Sequence, residues 1–274
     1  MMPTVAGAVP AKRNAWRPRV RRSVVTGVAT IVALLVAWWL STSVLGLVGP
    51  ARFPSPEAFV AALQRIWTQG YAGGTLIEHV VQSVRLVFVG FLTAVAVGVP
   101  LGFLMGYDRR IEAFVNPVFL VLRPIPPLAW IPLAIVWFSL GDASKVFVIF
   151  VSAFVPSVIN TYTGVRNVRK HLIEAALVHG ASRGRVIREV YLPDASPMIF
   201  TGLRLSLQAS WTTLVAAELV GAFLGLGRAL QTAYRDVNTP MILVAMVAIA
   251  ISGALTTILL ARLEKRVIRW RAEA

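Results

Sequence analysis

Hydroxyl groups and one carboxylate carry most of the polar chemistry in the apolar part of this 274-residue chain. Ser206, Ser210 and Thr213 fall at i, i+4 and i+7, with Trp211 and Thr212 adjoining, and Glu218 lies further along the same run. On a helix that spacing makes one polar stripe. Such a stripe can line a water-filled path, with Glu218 as a gate or as a partner of Arg228; equally, the hydroxyls can bond back to their own helix or join neighbouring helices. Catalytic chemistry fits less well. No Gly-x-Ser-x-Gly turn accompanies the serines. The chain has no cysteine, which excludes disulfides and thiolate metal sites. His79, His171 and His179 are scattered, and the last two are not at the three- or four-residue spacing of a helical metal site. The lysines Lys12, Lys145, Lys170 and Lys265 follow Ala11, Ser144, Arg169 and Glu264, so there is no Gly-Lys-[Ser/Thr] phosphate loop. The chain is therefore expected to be neither an enzyme nor the site of its own ATP hydrolysis, and no cofactor or metal is expected in it.

The elements that must position these residues are membrane helices. The chain is 57% hydrophobic and 14% charged, against about a quarter charged in soluble domains. Apolar stretches of about 20 residues predict an all-α integral membrane protein with spans near 24–47, 83–106, 118–138, 145–163, 198–222 and 240–261. The alternating ten-residue segments of a barrel are absent. The apolar run Ser23–Val48 exceeds a signal-peptide core and lacks a small-residue cleavage site, so it reads as an uncleaved first span. Segment 54–79 is amphipathic and too polar to span. Pro124, Pro126, Pro127 and Pro132 remove backbone donors from the third span and should break or bend it, which places Pro127 and Trp130 beside a pathway.

Charge sets the orientation. With the N-terminus inside, the inner segments hold 19 of the 27 Lys and Arg, and the outer segments hold Arg52, Arg65, Lys145, Arg228 and Arg235. That bias predicts cytoplasmic termini and a cytoplasmic loop at 164–197. It also explains the net charge of +15 as a topology signal with lipid contact, so no nucleic-acid partner is expected.

Within that loop, "EAALVHGASRGRVIREVYLP" (174–193) is polar, basic and helix-friendly. Leu172, Ala175, Ala176 and His179 form one small-residue face of a short helix that Gly180 should cap. A second helix is expected through Arg185–Leu192, ended or turned by Pro193. The loop can be an ordinary solvated helical hairpin, but helices of two or three turns are marginal in water unless a face is buried, which favours a docking partner.

The residues Glu174-Ala175-Ala176, Gly180 and Val190-Tyr191-Leu192-Pro193 resemble the signature loop of the permease subunits of bacterial ABC importers, with Val190 in place of the usual isoleucine. "LRPIPPLAWIPLAIVWFSLGDASK" (122–145) and "ASWTTLVAAELVGAFLGLG" (209–227) resemble the taurine, aliphatic sulfonate and nitrate branch of that family. The resemblance implies a type I permease fold with a coupling helix between spans four and five. It implies that Glu174, Ala175, Ala176, Gly180, Val190, Leu192 and Pro193 seat in a separate ATPase. The pathway candidates are Pro127, Trp130, Ser206, Ser210, Trp211, Thr213 and Glu218. The implied organisation is a basic tail (1–23), one transmembrane permease domain (24–261, coupling loop 164–197) and a second basic tail (262–274), in a bacterial inner membrane. The implied partners are a second copy of the chain, two ATPase subunits that hold ATP and Mg2+, an external substrate-binding protein and lipid. The implied cargo is a small sulfonate-type substrate, taurine favoured, with other alkanesulfonates or nitrate possible. A secondary transporter or channel is the competing class, but such proteins keep titratable groups near the bilayer midplane; here Glu218 is the one acidic residue within a span, near its outer end, and Arg123 and Arg204 begin near the cytoplasmic side and can snorkel.

Overall fold

The computed structural model describes residues 19–268, with side-chain detail from residue 25 onward, and over that range it is helical. The basic tail ahead of residue 19 and the residues after 268 lie outside the described residues. Helix α1 (Arg19–Trp39) runs on into a wide π-type turn, Leu40–Val44. The amphipathic helix α2 (Pro56–Thr68) opens with Ser55 accepting from the Ala58 N–H and proline in its first turn. The 32-residue α3 (Leu76–Tyr107) starts from a capping box in which Thr75 and Glu78 exchange side-chain and backbone bonds. Then come α4 (Arg109–Leu122), a 3-10 turn (Pro127–Trp130), α5 (Ile131–Phe138) and α6 (Asp142–Arg166). Short α7 (Lys170–Val178) and α8 (Arg183–Val186) precede a second π-type turn (Ile187–Tyr191). Long α9 (Leu192–Val220), α10 (Leu226–Arg235) and long α11 (Thr239–Val267) complete the chain.

Among the described residues, α1 (from Val25), α3, α6 and α11 are long and apolar enough to cross a membrane, matching four expected spans. The third expected span differs. It is two helices, α4 and the Pro127–Phe138 segment, bent by 82°. Pro124, Pro126 and Pro127 lie at the break, where missing N–H groups and restricted preceding residues end a helix. The fifth expected span is α9, 29 residues long but less apolar because Arg204, Gln208 and Glu218 interrupt it.

The spine of the fold is α3 on α6 and α6 on α9. On α3, Gly90, Ala94, Gly98, Gly102 and Gly106 recur every fourth residue, all buried. Every fourth residue shares a helix face, and small side chains let two backbones meet where the surrounding solvent offers no hydrophobic drive. A Cβ at Gly102 would lie 2.5 Å from the Val158 carbonyl oxygen and 3.0 Å from Thr161 Cβ, both on α6. Gly202 does the same for α9, with a would-be Cβ 2.7 Å from Asn160 Cβ.

Helix α1 contrasts with this. Val28, Ile31, Leu34 and Leu35 are each more than half exposed. Its end is held by Trp38 Nε1 donating to the Pro54 carbonyl (2.9 Å) and Trp39 Nε1 donating to Glu57 Oε1 (3.0 Å). Bonds from its own backbone N–H, Ser55 and Ser43 hold the Glu57 carboxyl below its usual range.

The packing at Gly102 leads to a stability test. Gly102→Val should lower the melting temperature of the detergent-purified protein, by about 1–3 kcal/mol of overpacking or more. Gly141→Ala, where nothing lies within 4 Å of the new methyl, should leave it unchanged. Equal melting temperatures for Gly102→Val and the unsubstituted protein would contradict the seam.

Candidate coupling loop and translocation residues

At one end of the spine, the 170–193 segment is built onto the bundle. Buried Val165, Val168 and Ala195 form a cluster with Phe103, Ile173, Val190, Tyr191 and Ile199 around it. Tyr191 meets Tyr107 edge-on at 5.3 Å, and burial pushes its hydroxyl up from the ordinary value, with Tyr107 adding to the effect. The Arg169 guanidinium pairs with Asp194 at 3.0 Å, tying the start of α7 to the first turn of α9. Helix α7 ends as its sequence suggests. Gly180 has φ +77°, its N–H donates to the Leu177 carbonyl (2.9 Å), and the Ala181 N–H donates to the Ala176 carbonyl (3.0 Å). Together these form a Schellman motif.

Two details correct the sequence reading. Pro193 does not end a helix: the backbone is helical without a break from Arg183 to Val220. Proline cannot donate to residue 189 and crowds its carbonyl, and the wide turn just upstream, where the Leu192 N–H bonds Ile187 O, removes the conflict. The exposed face of α7 is also rotated from the expected one. Leu172 and Ala176 are half-buried, and so is Ile173, which packs on the bundle cluster, whereas Leu177 and Val178 are 52% and 85% exposed. Of the expected coupling residues, Glu174, Ala175, Gly180 and Leu192 are exposed, Ala176 and Pro193 are half-buried, and Val190 packs into the cluster.

Along α9 the polar stripe faces α6. Ser206 Oγ donates to the Ala153 carbonyl (2.7 Å) and lies 2.8 Å from Ser157 Oγ. Thr213 Oγ1 donates to Ser152 Oγ (2.8 Å), and Ser210 Oγ bonds back to the Ser206 carbonyl (2.8 Å). Trp211 Nε1 donates to Thr256 Oγ1 on α11 (3.0 Å). All five of these α9 and α11 side chains are buried. Of the two uses open to this stripe, helix joining is the one its bonds serve. Pro127 and Trp130 are half-buried at the break, where Trp130 packs edge-on against Phe147 at 6.3 Å.

Glu218 sits at the other end of the bundle and does not pair with Arg228, whose Nε is buried without a hydrogen-bond partner. The fully buried Glu218 carboxylate accepts from Ser83 Oγ (2.8 Å) and from the Gly227 N–H (2.7 Å). Ser83 Oγ accepts from the Leu226 N–H (2.9 Å), and His79 Nδ1 accepts from the Gly225 N–H (3.0 Å). His79 is thus the tautomer with its proton on Nε2, which donates to the Tyr71 carbonyl (2.8 Å). Three backbone donors at the start of α10 are met by three side chains, which satisfies N–H groups that have no partner within the helix. Beyond them the Tyr71 hydroxyl donates to Asp236; burial and then that bond raise it above its ordinary value. Sequence reasoning missed His79 and Ser83; their i, i+4 placement on one face of an apolar helix was the available signal. His171 and His179 are exposed, and no cluster of three or more potential metal ligands occurs among the described residues.

The long apolar helices, with the connecting loop packed on one end of the bundle, are those of an integral membrane protein. The chain belongs to the family of binding-protein-dependent transport system inner membrane components, whose model matches residues 98–270. It is 36% identical to the taurine transport system permease protein of Escherichia coli K12, over 96% of this chain and 95% of that protein. It is 34% identical, over 87% and 85%, to a Bacillus subtilis permease named for aliphatic sulfonates. It is 31% identical, over 96% of each, to the bicarbonate transport system permease protein of Synechococcus elongatus. The branch expected from the sequence is the one these relatives populate. The fold also matches the inward-facing MetNI methionine ABC transporter, with a TM-score of 0.59 at 23% identity over 71% of this chain and 94% of that one.

The network around α10 sets a second expectation. Glu218→Ala orphans the Ser83 and Gly227 donors, at about 1–3 kcal/mol for each unmet group. It should lower the melting temperature and speed hydrogen exchange across 225–235, and His79→Ala should do the same more weakly. Unchanged exchange there in both variants would show that α10 is held by other contacts.

Proposed function

We propose that this chain is the permease subunit of an ATP-driven importer for a small sulfonate-type substrate, taurine favoured, with other alkanesulfonates or nitrate as alternatives. Two copies form the pathway, two separate ATPase subunits bind ATP and Mg2+, and an external binding protein delivers the cargo. Six spans with cytoplasmic termini agree with the charge distribution. The exposed apolar length of α1 fits lipid and the second copy. The observation that carries the reading is the 170–193 segment in a chain of this family. It is braced on the bundle by Tyr191 and the Arg169–Asp194 pair, and its tip presents Leu177 and Val178 to solvent beside a left-handed glycine. Exposed apolar side chains at the end of a short helix need a partner, and a groove in the ATPase supplies one.

ATP closure of the ATPase pair draws the two loops together, and the permeases rock from inward-open to outward-open. Hydrolysis then resets them. Cargo choice falls mainly to the binding protein. The relatives' names favour an oxyanion: the sulfonate of taurine, other sulfonates, bicarbonate.

Val178→Asp places a charge on the docking tip, and Gly180→Val forces a β-branched residue to φ +77°. Both should leave the permease in the membrane yet abolish ATPase copurification and uptake. Arg185→Ala removes only an exposed pair with Glu189 (3.7 Å) and should be silent. Retained ATPase binding in both damaging variants would defeat the coupling assignment. Separately, a strain lacking the gene should grow poorly on taurine as sole sulfur source. Normal growth there, on alkanesulfonates and on nitrate as nitrogen source, with no second importer, would remove the substrate assignment.

A further inference from the structure

The break in the third span leaves one cation without a counter-charge. On sequence alone Arg123 falls near the cytoplasmic edge of that span; the structure sets it deeper, because α4 already begins at Arg109. Helix α6 gives the depth. Its length of about 36 Å exceeds the hydrocarbon core of about 30 Å, so its middle residue, Phe154, lies near mid-bilayer. Near its end, Arg166 pairs at 3.2 Å with Glu112 in the first turn of α4, and Glu112 also accepts from the Tyr162 hydroxyl. Further along, Phe119 meets Phe154 edge-on at 6.3 Å. Arg123 closes α4 four residues after Phe119, about 6 Å along the axis. Its backbone therefore lies about 9 Å inside the nearer hydrocarbon boundary.

Two observations bear on what surrounds it. Residues 123–126 lie between helices, and all four are exposed. Pro124 and Pro126 have no N–H, and irregular backbone at this depth persists only inside protein or along a water-filled cavity. The Arg123 side chain, for its part, is exposed and has no hydrogen bond or ion pair with any described residue. An ionised side chain within a span is costly unless it is paired or faces water. The partial negative charge of the last turn of α4 favours a cation there but does not replace a counter-ion. A second copy of the chain cannot supply one. Among the described residues, every acidic side chain lies within a few residues of a helix end or in the 170–193 segment. Glu112, Asp142, Asp194 and Glu264 are already paired, and the buried Glu218 is engaged by Ser83 and the Gly227 N–H. The charge that completes Arg123 has to come from outside the chain.

We infer that Arg123 is the cation of the translocation pathway, where its guanidinium receives the oxyanion of the cargo at mid-membrane. A guanidinium presents a planar fork of donors that holds two oxygens of a sulfonate, nitrate or bicarbonate in parallel bonds. With no fixed counter-ion to displace, the group is ready for each arriving anion. This rests on the importer reading above and adds to it the residue that makes the path selective for anionic groups.

The chain has no cysteine, so Arg123→Cys places a single thiol in the full-length protein. Two charged, water-soluble thiol reagents, trimethylammonioethyl and sulfonatoethyl methanethiosulfonate, are applied to broken membranes, and the added mass is read on the purified chain. Both should label Arg123→Cys. Labelling by neither puts residue 123 against lipid or packed protein and overturns the assignment, whatever the chain transports. Uptake of labelled taurine, ethanesulfonate, nitrate and bicarbonate is then measured in turn at saturating concentration. The cells carry the unsubstituted chain or a variant as their only copy, at matched membrane levels. Arg123→Gln removes no contact within the chain, and it should cut the maximal rate about tenfold or more, the worth of one charge-assisted hydrogen bond. ATPase copurification should stay unchanged. Arg123→Lys, which keeps the charge and loses the fork, should fall between Arg123→Gln and the unsubstituted chain. Uptake by Arg123→Gln at the unsubstituted rate overturns the assignment and upholds the importer. Loss of ATPase copurification in both Arg123→Gln and Arg123→Lys also overturns it, because the residue would then be structural. Uptake of none of these substrates by the unsubstituted chain overturns the importer reading, and the assignment falls with it.

Discussion

Close approach of α3, α6 and α9 is the constraint on which the rest of the structure depends. In a hydrocarbon surrounding, burying another leucine gains little, because lipid is as apolar as the leucine. What holds helices together there is short-range packing and hydrogen bonding, and both require the backbones to be near. The Gly90–Gly106 ladder supplies that nearness for α3 on α6, and Gly164 and Gly202 supply it where α6 meets α9. Only at such separations can Ser206 reach the Ala153 carbonyl across the interface, or Thr213 reach Ser152. The hydroxyl bonds are thus a consequence of the glycine seam and reinforce it.

The same constraint separates what the amino-acid pattern discloses from what it does not. Runs of about twenty apolar residues are imposed by bilayer thickness, so α1, α3, α6 and α11 could be placed from sequence. The break in the third span was legible in Pro124, Pro126 and Pro127, but the 82° bend depends on what α5 packs against, which no local rule gives. The end of α7 at Gly180 was legible because a left-handed cap has a residue preference. The exposed face of α7 was misread. Amphipathic spacing says which residues share a face and not which face the bundle claims, and here the bundle claims Ile173.

Long-range polar partners were the least legible part. Glu218 is 135 positions from Ser83, and His79 is 146 from Gly225. Nothing in a single sequence couples such positions, so Arg228, ten residues away, looked the better partner for Glu218. The physical preference ran the other way. A buried carboxylate is stabilised by backbone N–H groups at a helix start without bringing a second charge out of water. That choice leaves Arg228 outside the network and makes α10 part of the α3–α9 unit.

The unbroken helix from Arg183 to Val220 joins these local solutions into one mechanical element. It spans 38 residues, or about 55 Å at the α-helical rise. One end lies in the Tyr191 cluster beside the exposed tip of α7, and the other carries Glu218 and, through Gly227, the start of α10. Had Pro193 broken the helix, a displacement of the 170–193 segment would be absorbed by the hinge. The π-type turn at Ile187–Tyr191 accommodates the proline without a hinge. Because α9 is seated on α6, and α6 on α3, a tilt of about 5° imposed at the loop moves the far end by about 5 Å over that length. Packed seams resist continuous deformation, so such a tilt moves the three helices as a body.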